Sequence, residues 1–515
     1  MSPTARDWCL GQASAATSAT CEAAQRPDRP EEACAVFGIY APDEDVSRLT
    51  YFGLHALQHR GQESAGIATG DGGEVNVTKD IGLVTQVFGE SSLAALTGHV
   101  AIGHTRYSTS GGSASCEAAQ PHFSAIGKEI FALAHNGTLV NSTYLRAQLI
   151  NLGISFRSFS DSEVAAQLIG NFTKETGHMR EGIRKTMQLV EGAYSMVLLT
   201  KDALYAFRDP NGMRPLSIGR LPGQRGWVVA SETCGLDIVG ANYVRDVMPG
   251  EVVRFNGTGD DGFVCESRVP QRKRAFCVFE FVYFARPDSC IDGQSVYQAR
   301  DAMGRLLASE APAGADIVIG VPDSGVPSAI GYAAASKIPY VEGIIKNRYV
   351  GRTFIQPTQL LRERGIRLKL NPLPTTLKGQ RVIVVDDSIV RGNTSRQLVQ
   401  MLREAGAREV HMRIVSPPVV WPCFYGIDTD TQDQLIAANL TVPQIGDFIG
   451  VDSLSYLSHD GLLSCINVEH PGFCTACFSG SYPIKVTEQV QKRSFCGALE
   501  PTWQQLGSPY TEPLF

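Results

Sequence analysis

"RVIVVDDSIVRGNTSRQLVQMLREAGA" spans residues 381–407, and its order decides the class of the second half of the chain. Val382–Val385 is an uninterrupted β-branched run, the pattern of a strand buried on both faces of a parallel sheet. Asp386 and Asp387 follow at its carboxyl end, and then a short loop carries Gly392. From about Thr394 the apolar period becomes that of a helix, with Leu398, Met401, Leu402 and Ala405 on one face and Gly406 as the stop. Ligands of open α/β sheets bind outside the carboxyl ends of the strands. A helix N-terminus reached through a glycine-bearing loop offers unpaired N–H groups to an anion, and Thr394 and Ser395 add hydroxyls. The two aspartates repel phosphate but accept hydrogen bonds from sugar hydroxyls or hold Mg²⁺. The stretch therefore predicts a site for a phosphorylated sugar.

Neighbouring segments extend the pattern. "ADIVIGV" (315–321) and "VHMRIVS" (410–416) are further strands between helical stretches, so an α/β domain is expected over 271–480. "IGVPDSGVPSA" (319–329) is a second strand end, turned by Pro322 and Gly325. Residues 346–369 carry seven Lys and Arg against one Glu, with little helical period. A run of that kind is usually a solvated face; beside a phosphate loop it reads as a basic lid. Residues 481–515 are weakly patterned and are expected to form a C-terminal tail.

The first half reads differently. Residues 1–33 are rich in Ala, Ser, Thr and Pro without an apolar period, and disorder is expected there. At Cys34 the pattern changes abruptly: "CAVFGIYA" (34–41) reads as a strand, and "DVSRLTYFGLHALQH" (45–59) as a helix with Leu49, Phe52 and Ala56 on one face. Strands then recur in "VAIGHTRYST" (100–109), "IFALAHNGTLV" (130–140), "YSMVLLT" (194–200) and "WVVASET" (227–233), with a helix beginning near Asp161. Antiparallel strands with helices packed outside are expected to about residue 270.

Bulk properties narrow the function class. The chain has 515 residues, room for two or three domains, and a net charge of −6 that argues against a nucleic-acid partner. Its longest apolar runs are far too short to span a bilayer, and the N-terminus carries no secretory apolar core. Thirteen cysteines, an odd number, favour a cytoplasmic protein with reactive or metal-bound thiols over a disulfide scaffold. The Cys474–Cys477 CxxC alone is compatible with redox chemistry, zinc or chance.

Taken singly, Arg106 after a strand, the Asn136-Gly137 pair and Asp161 before a helix are bland: surface, turn and cap. In this order after Cys34 they resemble the N-terminal-nucleophile glutamine amidotransferases, over Cys34 to about residue 265. The 381–407 stretch resembles the signature of type I phosphoribosyltransferases. With "RDPNGMRPLSIG" (208–219), "YFARPDS" (283–289) and "KNRYVGRTFIQP" (346–357), the chain from Cys34 onward resembles the glutamine phosphoribosylpyrophosphate (PRPP) amidotransferases. Sister amidotransferases with other acceptors lack the Asp386-Asp387 loop, and a PRPP-sensing regulator would need neither Cys34 nor the Arg106, Asn136 and Asp161 set.

That resemblance implies a four-layer αββα (α+β) glutaminase domain over 34–270, followed by an α/β type I phosphoribosyltransferase domain. The activity implied is formation of 5-phosphoribosylamine from PRPP and glutamine, the committed step of purine synthesis. Cys34 would be the nucleophile and its own α-amine the base, so residues 1–33 would be a propeptide. Arg106 would pair with the glutamine carboxylate and Asp161 with its ammonium. Asn136 and the Gly137 amide would form an oxyanion hole. PRPP would be bound by Lys346, Arg352, Asp386, Asp387, Gly392, Thr394 and Ser395, with Arg348 in the same lid. Mg²⁺ would lie on Ser324, Asp386 and Asp387. Tyr283 would line an ammonia passage between the sites. Cys277, Cys423, Cys474 and Cys477 stand where the cluster-bearing members ligate a [4Fe–4S] cluster. A homotetramer inhibited by purine nucleotides is the assembly implied.

Overall fold

β1 (Ala35–Tyr40) divides its side chains between two cores. Ala35, Phe37 and Ile39 face the helix on one side, while Val36 faces the second sheet. That double burial is why the run after Cys34 is continuously apolar instead of alternating. The structure is a computed structural model that describes residues 34–106, 116–127, 129–257, 263–347, 367, 369–427, 429, 431–486 and 502–503.

Two antiparallel sheets stack face to face. The first runs β11 (Asn242–Asp246), β9 (Ser217–Arg220), β10 (Trp227–Ala230), β1, β4 (Val100–Arg106), β2 (Ser64–Gly70) and β3 (Val75–Ile81). The second runs β13 (Phe263–Arg268), β12 (Glu251–Phe255), β8 (Leu204–Arg208), β7 (Gly192–Leu199), β6 (Glu129–Leu139) and β5 (His122–Ile126). Val36, Ile102, Ala134 and Val197 meet between the sheets. Helix α1 (Val46–Ala56) covers the first sheet, and α2 (Asp161–Thr176) and α3 (Met179–Leu189) cover the second. This is the expected αββα arrangement.

One expectation about α1 is corrected. Its buried residues include Val46, Thr50, Gly53, Leu54 and Ala56, whereas Phe52 is 48% exposed. Gly53 lies against the Phe37 ring, where a Cβ would come within 2.3 Å. The helix approaches the sheet through its smallest residue, and that rotation turns Phe52 outward.

In the second half, β14 (Ile317–Gly320), β15 (Arg381–Asp386), β16 (Glu409–Ile414) and β17 (Ser453–Tyr456) form one parallel sheet. Ile383 and Val385 pack under α4 (Val296–Glu310) and α5 (Gly325–Ser336). Val382 and Val384 pack under α6 (Asn393–Glu404) and α7 (Val442–Ile449). Both faces are covered, as the β-branched run in 382–385 predicts.

The halves are joined by backbone as well as side chains: the Cys277 amide donates to the Met213 carbonyl at 3.1 Å, and the Ala275 amide to the Asn211 carbonyl at 2.9 Å. Tyr283 is half-buried in the wide turn Glu280–Phe284, packed against the α/β core. The segment beyond 480, expected as a tail, begins as part of the core instead: Tyr482, Ile484 and Val486 are buried beside Tyr425 and Phe424. The reason is polar as well as apolar, since the Tyr482 hydroxyl donates to the Pro422 carbonyl at 2.6 Å. Residues 1–33, Arg348 and Arg352 lie outside the described residues.

Candidate active sites and the cysteine cavity

Ala35 on β1 pairs with Thr105 on β4, so Cys34 and Arg106 emerge at the same end of adjacent strands. Cys34 shares the register face of Val36, and Asn136 that of Ala134, so both belong to the space between the sheets. Burial pushes the Cys34 thiol up to about 12; the Arg106 charge opposes this, and Asp161 and Glu63 add to it. The thiol is thus within electrostatic reach of the cation and the carboxylate expected for an α-amino acid substrate. Glu63, 4.0 Å from Arg106, is a further charge beside Arg106 that no sequence pattern marked.

Asn136 is fully buried, yet neither side-chain atom has a hydrogen-bond partner among the described residues. Leaving a buried amide unpaired costs about 1–3 kcal/mol, which suits a group reserved for a substrate oxygen. Gly137 has φ +138°, and a Cβ there would sit 2.0 Å from the Ala193 carbonyl oxygen. Asp161 does not cap α2: Ser160 is the N-cap, with Oγ accepting from the Ser162 amide at 3.2 Å. That leaves the Asp161 carboxylate to face β6. Beneath it lies a buried polar layer, in which His135 Nδ1 is 2.9 Å from Ser162 Oγ and the His135 amide donates to Gln120 Oε1 at 2.7 Å. Burial keeps His104 and His135 low in pKa; they support the strands.

In the α/β half, Asp386 ends β15, and Asp387 is almost fully buried beyond it. Ser324, from the β14–α5 turn, donates to Asp387 Oδ2 at 2.5 Å, and Ser388 Oγ donates to Oδ1 at 2.6 Å. The two strand ends singled out by sequence are therefore brought together. Gly392 (φ +82°) is the N-cap of α6 and has no side chain to cap it, and Thr394 and Ser395 lie in the first turn of the helix. A Cβ on Gly392 would come 2.7 Å from Ile436 Cδ1. Lys346 reaches back to pair with Asp323 in that same β14–α5 turn.

Cys277, Cys423, Cys474 and Cys477 line one enclosed cavity with Arg214 and Tyr482. A two-residue parallel ladder, Phe276–Cys277 on Phe473–Cys474, sets the first and third opposite one another. All four are free thiols, and burial raises each of them, Cys277 to about 12. Among the described residues no three His, Cys, Asp or Glu side chains stand close enough to hold a single metal ion.

Similarity to known proteins follows the same division. Residues 104–237 match a glutamine amidotransferase domain, and residues 293–415 a phosphoribosyl transferase domain. The amidophosphoribosyltransferase of Synechococcus elongatus is 55% identical over 470 residues, 91% of this chain and 94% of that protein. That of Bacillus subtilis is 49% identical, covering 89% and 96%. Among solved structures, an allosteric regulatory enzyme of purine biosynthesis superposes with a TM-score of 0.81 at 48% identity, covering 89% of this chain and 97% of the other. The B. subtilis glutamine PRPP amidotransferase complexed with ADP and GMP gives 0.80 at 48% identity, covering 88% and 98%. The chain belongs to the amidophosphoribosyltransferase family.

Proposed function

We propose that this enzyme hydrolyses glutamine at Cys34 and passes the ammonia to C1 of PRPP, releasing pyrophosphate and forming 5-phosphoribosylamine for purine synthesis. The observation that carries the reading is one chain holding both a buried thiol within electrostatic reach of Arg106 and Asp161, and an acidic strand end followed by a glycine-started helix.

A thiol held near 12 needs a base. We assign that role to the α-amine of Cys34, released by removal of residues 1–33; an α-amine titrates at about 7.7–8.0 and shuttles protons near neutrality. Arg106 would take the glutamine carboxylate in a two-pronged pair, and Asp161 its ammonium. The tetrahedral oxyanion would be held by the Asn136 side chain and the Gly137 amide, a donor of this kind being worth about 3 kcal/mol.

At the second site, the first turn of α6 with Thr394 and Ser395 would hold the 5-phosphate, and Asp386 and Asp387 the ribose hydroxyls. Lys346, Arg348 and Arg352 would close over pyrophosphate and exclude water from an oxocarbenium-like C1. The oxygen donors Ser324, Asp386 and Asp387 fit Mg²⁺, which would neutralise pyrophosphate charge when bound. Four buried thiols around one cavity fit a [4Fe–4S] cluster, which would cross-tie residues 277, 423 and 474–477 when bound. We assign purine nucleotides as inhibitors because a relative was solved with ADP and GMP, and propose a cytoplasmic homotetramer; no helix among the described residues is long and apolar enough to cross a membrane.

The test is pyrophosphate release from PRPP with glutamine or ammonia as nitrogen donor. Cys34→Ala should abolish the first and keep the second. Loss of both in a folded variant overturns the two-site scheme.

A further inference from the structure

Arg214 reaches the cysteine cavity from the glutaminase half, with its side chain 1% exposed. Its Nη2 and Nε donate to the Tyr425 carbonyl at 2.9 and 3.3 Å, and Nη1 donates to Glu280 Oε1 at 3.2 Å. The same Glu280 oxygen accepts from Arg60 Nη2 at 2.7 Å. Arg60 in turn pairs with Glu232, which also accepts from Ser289 Oγ at 2.7 Å and the Arg286 amide at 2.9 Å. Four fully buried charges thus alternate in sign from the cavity into the glutaminase half. The third of them, Arg60, lies beside its active strand: a Cβ on Gly61, next to it, would lie 2.7 Å from the Arg106 amide nitrogen.

Buried ion pairs contribute little net stability against well-packed apolar residues, so stability alone does not account for a chain of four. Its terminus suggests a further role. Four thiolates around a metal–sulfur cluster leave net negative charge in the cavity, and Arg214 is the cation among the described residues lining it. Glu280 Oε2 is buried without a hydrogen-bond partner among the described residues, so this carboxylate is only partly quenched and acts on its surroundings.

We propose that Arg214 is a positioning residue that supplies the counter-charge for the group held by the four cysteines, and that Glu280 of the α/β half and Arg60 of the glutaminase half tune that charge. The inference rests on the cluster reading above. Net charge around an iron–sulfur cluster sets its reduction potential, so the two members adjacent to the cavity should act with opposite sign.

The experiment is spectroelectrochemical titration of full-length protein purified without oxygen, with iron per chain measured in parallel. Arg214→Met should shift the midpoint potential negative and speed chelator-driven iron loss at least about tenfold. Arg214→Lys should stay near wild type. Glu280→Gln should shift the potential positive. A purely structural role predicts iron loss in both Arg214→Met and Glu280→Gln without opposed shifts, and that result overturns the inference. If Arg214→Met does not accumulate, Glu280→Gln decides: an unchanged or lowered potential overturns it. Wild-type protein without iron or cluster absorbance overturns the cluster reading itself.

Discussion

Asp161 opens α2, yet its carboxylate turns back to β6, where Oδ2 accepts the Leu139 amide at 2.8 Å. The bond ties the helix start to the strand that carries Asn136 and Gly137. It also leaves Oδ1 3.3 Å from Ser162 Oγ and 4.0 Å from His135 Nδ1. Asp161→Asn should preserve the fold, because Ser160 supplies the cap. The KM for glutamine should rise by about 30-fold or more, since losing one partner of a buried charge pair costs about 2–5 kcal/mol. The ammonia-dependent rate should not change. Steady-state kinetics with each donor checks both statements.

Gly137 sits at a positive φ with the Ala193 carbonyl where a Cβ would be. Gly137→Ala must therefore push β6 from β7 or twist the 137 amide. Either movement misdirects the oxyanion donor. Glutaminase kcat should fall by about 10²–10³, with a lower melting temperature. An alanine variant with full glutaminase activity would remove Gly137 from the oxyanion hole.

What was legible in the sequence depended on how far apart the cooperating residues lie. The phosphoribosyl site could be read because a strand, its acids, the loop and the helix are contiguous in 381–407. The glutaminase site was legible only as an order of short stretches, and Glu63 carried no signal of its own. Helix α1 was found by its period, with Leu49 and Ala56 rightly toward the core but Phe52 turned outward, because the approach at Gly53 is set by Phe37 on another element. Arg60 and Glu280 are 220 residues apart, and Cys277 meets Cys474 through a two-residue ladder. No local period encodes either pairing.

Processing at Ala33–Cys34 follows from the assigned base. While residues 1–33 are attached, the Cys34 nitrogen is an amide and cannot take a proton. Protein beginning at Cys34 should release glutamate from glutamine, and protein retaining residues 1–33 should not, while both use ammonia. Intact mass combined with the glutaminase assay decides it, and full activity in the longer chain rejects the α-amine as base.

Lys346 pairs with Asp323 where both side chains are largely exposed, at 45% and 71%. An ion pair so placed contributes about 1 kcal/mol or less to stability. Lys346→Ala should therefore leave the melting temperature almost unmoved. Its effect should fall on PRPP, with KM raised about tenfold or more through loss of a charge-assisted phosphate contact. Unchanged PRPP kinetics would mean that Lys346 serves the loop and not the substrate.

Glu232 gives the pH dependence a defined sign. Burial alone would raise its pKa, but His59 and Arg60, with Ser289, reverse this and hold the carboxyl well below the usual range. Between that value and the unfolded value of about 4.3, the unfolded chain binds the extra proton. The stabilisation linked to Glu232 is therefore complete above about pH 4.3 and is lost as pH falls toward the folded pKa. Glu232→Gln removes this linkage and strands Arg60 with less countercharge, so at neutral pH the variant should be less stable by about 3 kcal/mol. Its melting temperature should also fall less steeply than that of wild type between about pH 5 and pH 3. Melting curves across that range test the assignment: parallel profiles for the two proteins would show that the Arg60–Glu232 pair does not set the acid limit of the fold.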